Sequence, residues 1–233
     1  EICACLVGSE MCIRDRINTY QKGNKAKLAA NAKENALASI ERKIAEEASV
    51  KSNLEEFVRI FNLPRIPQRI EVYDNSHIQG SYAIGAMVVA TPDGFDKKQY
   101  RTFNIKNPEI TNDDFAMMKE VLTRRFNRMT PENKPDVILL DGGLGQLHAV
   151  HESLKDFDLS GIAVIAISKG PDRNAGKEFY HMLGRESFAL PFQSPIAFYM
   201  QNLRDEAHRF AIGTHRKRRA KSVSKSRLDE VEG

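Results

Sequence analysis

Three β-forming runs follow one another in this chain, and this succession limits its possible folds more than any other feature. The runs cover residues 69–74, 83–91 and 99–105, with Gly80 and the turn sequence Pro92-Asp93-Gly94 between them. Strands at such short spacing pair with their neighbours in sequence. The pattern therefore predicts an antiparallel three-strand meander.

Helices and continuous apolar runs alternate after the meander. A helical pattern covers residues 112–128, and a second helix at 146–154 joins the apolar runs 137–140 and 162–167. Continuous apolar runs that are joined through helices are typical of buried parallel strands. We therefore expect a fourth and a fifth strand that extend the sheet in parallel.

The last part of the pattern is a small β insertion at 178–190, followed by a closing helix at 196–215. The complete order is that of the ribonuclease H-like α/β fold, a mixed sheet of meander and parallel strands flanked by helices. In this topology the first strand lies at the centre of the sheet, and the fourth strand pairs beside it in parallel.

A helical segment precedes the sheet. Residues 24–61 are rich in Lys, Glu and Ala, with apolar residues at rough helical spacing, so they predict one long or two shorter amphipathic helices. Pro64 and Pro67 end this pattern. We therefore divide the chain into a helical linker at 17–63, an α/β domain at 64–220 and a basic linker at 221–233.

The first sixteen residues have a different character. All three cysteines lie there, and residues 4–16 read ACLVGSEMCIRDR, which resembles translated sequencing-adapter read-through. The cysteine spacing does not fit a zinc site, and no histidine accompanies it. We interpret residues 1–16 as adapter-derived; a frayed end of a true domain is the alternative.

The overall composition leaves several classes of partner open. The formal charge of +4 permits nucleic acid as a partner without demanding it. No run of about eighteen apolar residues is present, so no membrane span is predicted. We expect a cytoplasmic protein.

Two aspartates follow apolar strand residues in the predicted sheet. Asp74 ends the first strand and Asp141 ends the fourth, so the topology places them side by side at one sheet edge. Converging carboxylates suit Mg²⁺ or Mn²⁺, which can activate water and stabilise charge on a phosphate. Taken singly, each aspartate is more often a turn residue or a helix cap.

A glycine-rich turn begins at the second aspartate, where Asp141 is followed by Gly142, Gly143 and Gly145. It lacks the lysine of a phosphate-binding P-loop. Space for a phosphodiester backbone is our preferred interpretation, and glycines that serve only the turn are the alternative.

Other polar residues accompany the two aspartates. His208 in the closing helix could complete a metal site or act as a general acid or base, although a lone histidine is more often structural. His77 is the second candidate histidine, and His148, His151 and His181 are interpreted as surface positions. Lys169, after the fifth strand, could meet a phosphate as a point charge.

The C-terminal segment is basic. Eight Lys and Arg residues and no acidic residue lie between Ala207 and Leu228. Such a run follows a phosphate backbone without reading sequence, and solvated disorder is the alternative. The predicted DNA-binding residues are Arg209, Arg216, Lys217, Arg218, Arg219 and Lys221.

These segments together resemble the C-terminal endonuclease domain of the UvrC family, which acts in bacterial nucleotide excision repair. The matching stretches are YDNSH at 73–77, YRTFNI at 100–105, TNDDF at 111–115, LDGGLGQ at 140–146, SKG at 168–170 and RDEAHRFA at 204–211. They occur in the family order across about residues 60–220, and jointly they are highly specific.

The resemblance implies a ribonuclease H-like nuclease that cuts damaged duplex DNA on the 5′ side of a lesion. It implies an aspartate, aspartate, histidine triad, and these roles fall on Asp74, Asp141 and His208. Of the acidic pair Asp113 and Asp114, we carry Asp114 over as a supporting residue.

The family also has parts that this sequence does not show. They are a GIY-YIG nuclease domain, a cysteine-rich region and a UvrB-binding helical pair before this domain, and a helix-hairpin-helix module after it. The residues Ser226 to Gly233 look like the start of that module. Two alternatives to an active nuclease remain, a non-catalytic DNA-binding fragment and a small-molecule phosphohydrolase.

Overall fold

The structure is a computed structural model that describes residues 22–78, 81–111, 113–170 and 178–224, without the side chains at 41–48, 76–78, 81–82, 108 and 215–224. The chain divides into two compact units, Glu1–Glu46 and Glu47–Gly233. Among the described residues, no helix has the length and apolar character that a membrane crossing requires.

The N-terminal helical segment is one helix, α1, which covers Gly23–Phe61. In the first unit Leu28 and Leu37 are exposed. In the second unit Leu54, Phe57 and Phe61 are buried in an apolar cluster with sheet residues. The compact α/β unit therefore begins at Glu47, whereas the sequence analysis began it at residue 64, because the last turns of α1 contribute to the core.

In the part of the chain that the structure describes, eight strands and three further α-helices follow α1. The strands are β1 (Ile70–Ile78), β2 (Ser81–Thr91), β3 (Gly94–Phe95), β4 (Arg101–Asn104), β5 (Val137–Asp141), β6 (Ala163–Lys169), β7 (Glu178–Met182) and β8 (Arg185–Ala189). The helices are α2 (Asp114–Phe126), α3 (Leu144–Ser153) and α4 (Pro195–Ser224). Helix α4 continues nine residues beyond the predicted end, because the Lys, Arg and Ala residues after His215 are good helix formers.

All eight strands form one mixed sheet in the order β3-β2-β1-β5-β6-β7-β8, with β4 also paired to β2. The predicted meander corresponds to β1, β2 and β4, which pair antiparallel. The predicted fourth strand is β5, and it pairs with β1 in parallel. The insertion forms β7 and β8, which extend the sheet antiparallel to β6. The ribonuclease H-like arrangement is confirmed.

Alternate residues of a strand point to opposite sides of the sheet, and helices cover both sides here. Val72 and Leu139 lie in a cluster with α1 and α4 residues, which we call the α4 face. Tyr73 and Leu140 lie in a second cluster with α2 and α3 residues, which we call the α2 face. The α4 face carries the candidate site.

Candidate active site

The strand register brings the two aspartates together. Tyr73 of β1 lies opposite Leu140 of β5, so Asp74 and Asp141 are the next pair of positions. Asp74 shares the side of the strand with Val72, and Asp141 shares it with Leu139, so both point to the α4 face. The two carboxylates meet where the parallel ladder between β1 and β5 ends.

Asp74 does not end its strand, contrary to the sequence prediction. β1 continues to Ile78, and Asp74 pairs antiparallel with Ala86 of β2. The polar residues after Asp74 can stay in the sheet because β2 still provides a complete hydrogen-bonding partner on that side. Asp74 is therefore held by backbone pairing on one side and is free of strand pairing toward β5.

Helix α4 delivers the third residue of the site. Leu203, Ala207 and Ala211 are buried against the sheet at helical spacing. The alanines are small, so the helix backbone can lie close to β1 and β2, against which α4 packs. His208 follows Ala207 and so lies beside this contact face, next to Asp74.

The three side chains form a compact group. His208 Nδ1 lies 3.0 Å from Asp74 Oδ2, and ligand atoms of Asp74, Asp141 and His208 all lie within 4.8 Å of one another. The Asp74 side chain is 7% exposed, while that of His208 is 60% exposed. The Asp74 carboxylate is therefore buried, that of Asp141 is half-buried, and the His208 imidazole is accessible.

Both carboxyl groups are harder to ionise here than in water. Burial, and after it the negative charge of Asp141, raises the pKa of Asp74 to about 6, against a hydrogen bond from His208 that lowers it. Burial also raises the pKa of Asp141, while the positive charges of Arg204, His208 and Lys169 lower it. The negative charge of the two carboxylates is therefore only partly compensated by positively charged residues of the protein.

These residues fit a divalent cation. Two carboxylates whose pKa values are raised by burial carry a charge that a bound cation would neutralise. Carboxylate oxygens are the ligands that Mg²⁺ and Mn²⁺ prefer, and imidazole is an acceptable third ligand. Asp74, Asp141 and His208 are the residues that would hold it.

Two of the predicted supporting residues lie near the group. The charge of Asp114 contributes to the raised pKa of Asp74, and Asn75 Nδ2 donates to the Asp114 carbonyl oxygen at 3.0 Å. The cap of α2 is Asp113, whose side chain accepts from Phe115 N and Ala116 N. Lys169 ends β6, and its charge lowers the pKa of Asp141.

Two residues of the site were missed in the sequence analysis. Arg204 of α4 contacts the carboxylate of Glu178 at the start of β7, and its Nη2 lies 2.9 Å from Asp205 Oδ1. The Arg204 charge is the largest one that lowers the pKa of Asp141. Arg204 lies four residues before His208, and this helical spacing was the available signal. Glu178 gave no such signal, because it belongs to a distant strand.

The glycine turn has a local explanation at its first glycine. A Cβ on Gly142 would clash with the side-chain amide of Gln146. Gln146 is buried and folds back over the turn. A larger residue at position 142 would displace the buried Gln146 side chain of helix α3, so this glycine has a local role in the turn.

The remaining predicted residues divide into two groups. Outside the side chains that the structure describes lie His77, Arg216, Lys217, Arg218, Arg219 and Lys221, and residues 1–16 lie outside it altogether. Arg209 is described: its guanidinium pairs with Glu206, with Nε 2.7 Å from Oε2. Its charge is therefore compensated locally.

His181 is not a surface residue, contrary to the sequence interpretation. It is 8% exposed, and its ring nitrogens lie 2.8 Å from Ser168 Oγ and 2.6 Å from Ser187 Oγ. Burial lowers its pKa. Its hydrogen bonds join β6, β7 and β8, which is a structural role.

The strand order and the site together define a nuclease fold of the ribonuclease H-like class. A family profile described as the UvrC RNase H endonuclease domain matches residues 58–212. The chain belongs to this family. The predicted resemblance is thus confirmed, with its nuclease-type domain.

Proteins with known names support the same assignment. The chain is 52% identical over 228 residues to UvrABC system protein C of Zymomonas mobilis subsp. mobilis, covering 94% of this chain and 34% of the relative. It is 46% identical over 241 residues to the Maricaulis maris protein of the same name, covering 98% of this chain and 38% of the relative. The chain thus spans about a third of the length of these relatives.

Solved structures show more distant similarity. The catalytic domain of human endonuclease V is 18% identical, with a TM-score of 0.34 over 57% of this chain and 59% of that chain. Endonuclease V from Bacillus subtilis is 20% identical, with a TM-score of 0.31 over 48% of each chain. These TM-scores are below 0.5, so the assignment rests on the sequence family and on the sheet topology.

Proposed function

We propose that this chain is a divalent-metal-dependent DNA endonuclease, and that Asp74, Asp141 and His208 form its catalytic centre. The observation that supports this most directly is the convergence of their ligand atoms within 4.8 Å of one another. The ion would be Mg²⁺ or Mn²⁺. When bound, such an ion lowers the pKa of a water molecule and stabilises negative charge on a phosphate.

The residues of the proposed centre would have different roles, which follow from how deeply each is buried. Asp74 and Asp141, held on neighbouring strands, would fix the position of the ion. His208, whose Nδ1 lies 3.0 Å from Asp74 Oδ2, would complete the ligand set of the ion through one ring nitrogen. Lys169, exposed at the end of β6, would meet a phosphate oxygen.

We further propose that the incision is the one on the 5′ side of a lesion in duplex DNA, during nucleotide excision repair. The support is the family membership and the names of the relatives. UvrB would be the protein partner of the full-length protein, and the cytoplasm, where bacterial DNA lies, its location. The lesion itself would be selected by parts of the relatives that this chain does not span.

Plasmid nicking tests the central proposal. Supercoiled DNA is incubated with Mn²⁺ and the parent chain, its Asp141→Asn variant, or an Asp156→Asn control that changes an exposed carboxylate on the α3 side. We expect nicking by the parent and the control and none by Asp141→Asn. If neither the parent nor the control cuts while both bind DNA, the non-catalytic alternative is correct.

A further inference from the structure

A groove on the α2 face of the sheet carries positive charge that the proposed catalytic centre does not use. It has a volume of about 230 Å³ and lies between the edge strand β4 and the end of helix α2. Five arginines line it, namely Arg69, Arg101, Arg124, Arg125 and Arg128. We call it the arginine groove.

Carboxylates compensate only part of this charge. Glu71, which is fully buried, is shared by Arg69 Nε and Arg125 Nη2, each 2.7 Å away. Glu120 pairs with Arg124 at 3.0 Å. Five guanidinium groups thus face two carboxylates, which leaves an excess of three positive charges in the groove.

Two of the arginines are placed to meet a ligand. Arg101 Nη1 donates to the carbonyl oxygens of Lys98 and Tyr100 at 2.9 and 2.8 Å, so its guanidinium is held in position. Arg128 is exposed just beyond α2, where its backbone N–H donates to the Arg125 carbonyl oxygen. Within the described residues neither arginine forms an ion pair with a carboxylate.

We infer that the arginine groove binds backbone phosphates of a DNA duplex where the duplex passes the β4 edge of the sheet. This inference rests on the proposed function, which makes DNA the substrate. Arginine forks match phosphate oxygens in geometry and charge. They would position the duplex without reading its sequence.

The place of the groove in the fold supports a duplex over a small anion. Arg101 pairs with Met87 of β2, and Met87 pairs with Tyr73, the residue before Asp74. β4 therefore lies two strand spacings from β1, or about 10 Å. Asp74 points to the α4 face and the groove lies on the α2 face, so a duplex that is held at Asp74 would reach the groove by passing around the edge strand β4.

The lining argues against an acidic protein segment. Protein interfaces are enriched at their centre in aromatic side chains, Met and Arg, and an interface of arginines alone, without an accessible aromatic or apolar anchor, is uncommon. The aromatic ring in the groove is Phe103, which is 7% exposed and lies under the guanidinium of Arg124. The surface that remains accessible is charged and polar.

Salt-dependent DNA binding tests the inference. The full chain is titrated with a labelled 24-base-pair duplex in EDTA between 0.05 and 0.3 M salt. We compare the parent with Arg101→Gln/Arg128→Gln and with the control Arg59→Gln/Lys155→Gln, which removes the same charge from two exposed residues elsewhere. Loss of two phosphate contacts lowers the slope of log Kd against log salt by about 1.8 and weakens binding about 60-fold at 0.1 M.

A charge-preserving variant separates contact loss from misfolding. Arg101→Lys/Arg128→Lys should keep most of the parental slope, because the slope counts neutralised phosphates. If the glutamine variant binds like the control, the inference is wrong and an acidic protein becomes the better candidate ligand. If the parent shows no salt-dependent binding, the proposed function fails as well.

Discussion

Asp74 should destabilise the metal-free protein, and its replacement by asparagine should therefore increase stability. The folded state raises the pKa of this carboxyl from 3.8 to about 6. Well below pH 3.8 the Asp74 carboxyl is protonated in both the folded and the unfolded state, and it does not affect the free energy of unfolding. As the pH rises, the unfolded chain ionises first, so stability falls until the pH passes about 6.

The size of the effect follows from the two pKa values. A pKa difference of about 2 units lowers the free energy of unfolding by about 3 kcal/mol above pH 7, and about half of this decrease is already present at pH 5. An asparagine side chain would stay neutral, and its amide oxygen could still accept a hydrogen bond from His208. For a unit of this size, about 3 kcal/mol raises the Tm by about 6–12 °C.

Urea unfolding followed by circular dichroism, in EDTA at pH 5 and pH 8, measures this difference. We expect Asp74→Asn to exceed the parent at both pH values and by more at pH 8, while the exposed control Asp156→Asn changes by less than about 0.5 kcal/mol. Mn²⁺ should then stabilise the parent and not the variant. A variant that is no more stable than the parent at pH 8 would refute the reasoning.

Two further predictions concern side chains that support the site and the groove. Gly142→Ala should lower the free energy of unfolding by about 1–3 kcal/mol through its clash with Gln146, and Gln146→Ala should remove most of this loss. A double-mutant cycle of urea midpoints measures the coupling, and additive effects of the two substitutions would contradict the prediction. Glu71→Ala should cost about 3–5 kcal/mol, because it leaves Arg125 buried without its carboxylate, and equal stability of variant and parent on thermal unfolding would show that the pair contributes nothing.

The sequence predicted the order of the strands except β3, because the other strands lie in β-forming runs and the turns carry their usual residues. It predicted that Asp74 and Asp141 lie side by side at one edge of the sheet for the same reason. It placed the end of β1 too early, since the run of polar residues after Tyr73 looks like a turn when the partner strand β2 is not considered. β3 has only two residues, Gly94 and Phe95, and it begins inside the predicted turn.

The parts of the site that sequence reasoning missed depend on contacts between distant elements. Glu178 and Arg204 pair across 26 residues. Arg204 lies in the matched stretch RDEAHRFA, but the sequence does not show that it contacts Glu178. The arginine groove likewise collects residues from the start of β1, from β4 and from the end of α2. Such groupings follow from sheet register and helix packing, which single-sequence patterns do not contain.

The separation of the three site residues along the chain affects when the proposed catalytic centre can assemble. Asp74 and His208 are 134 residues apart, and they meet only after β1 and β5 have paired and α4 has docked. Contacts between residues this far apart in the sequence require closure of a long loop, which slows their formation. A nascent or partly unfolded chain would therefore lack the assembled group of Asp74, Asp141 and His208, so the proposed nuclease activity would be confined to the folded state.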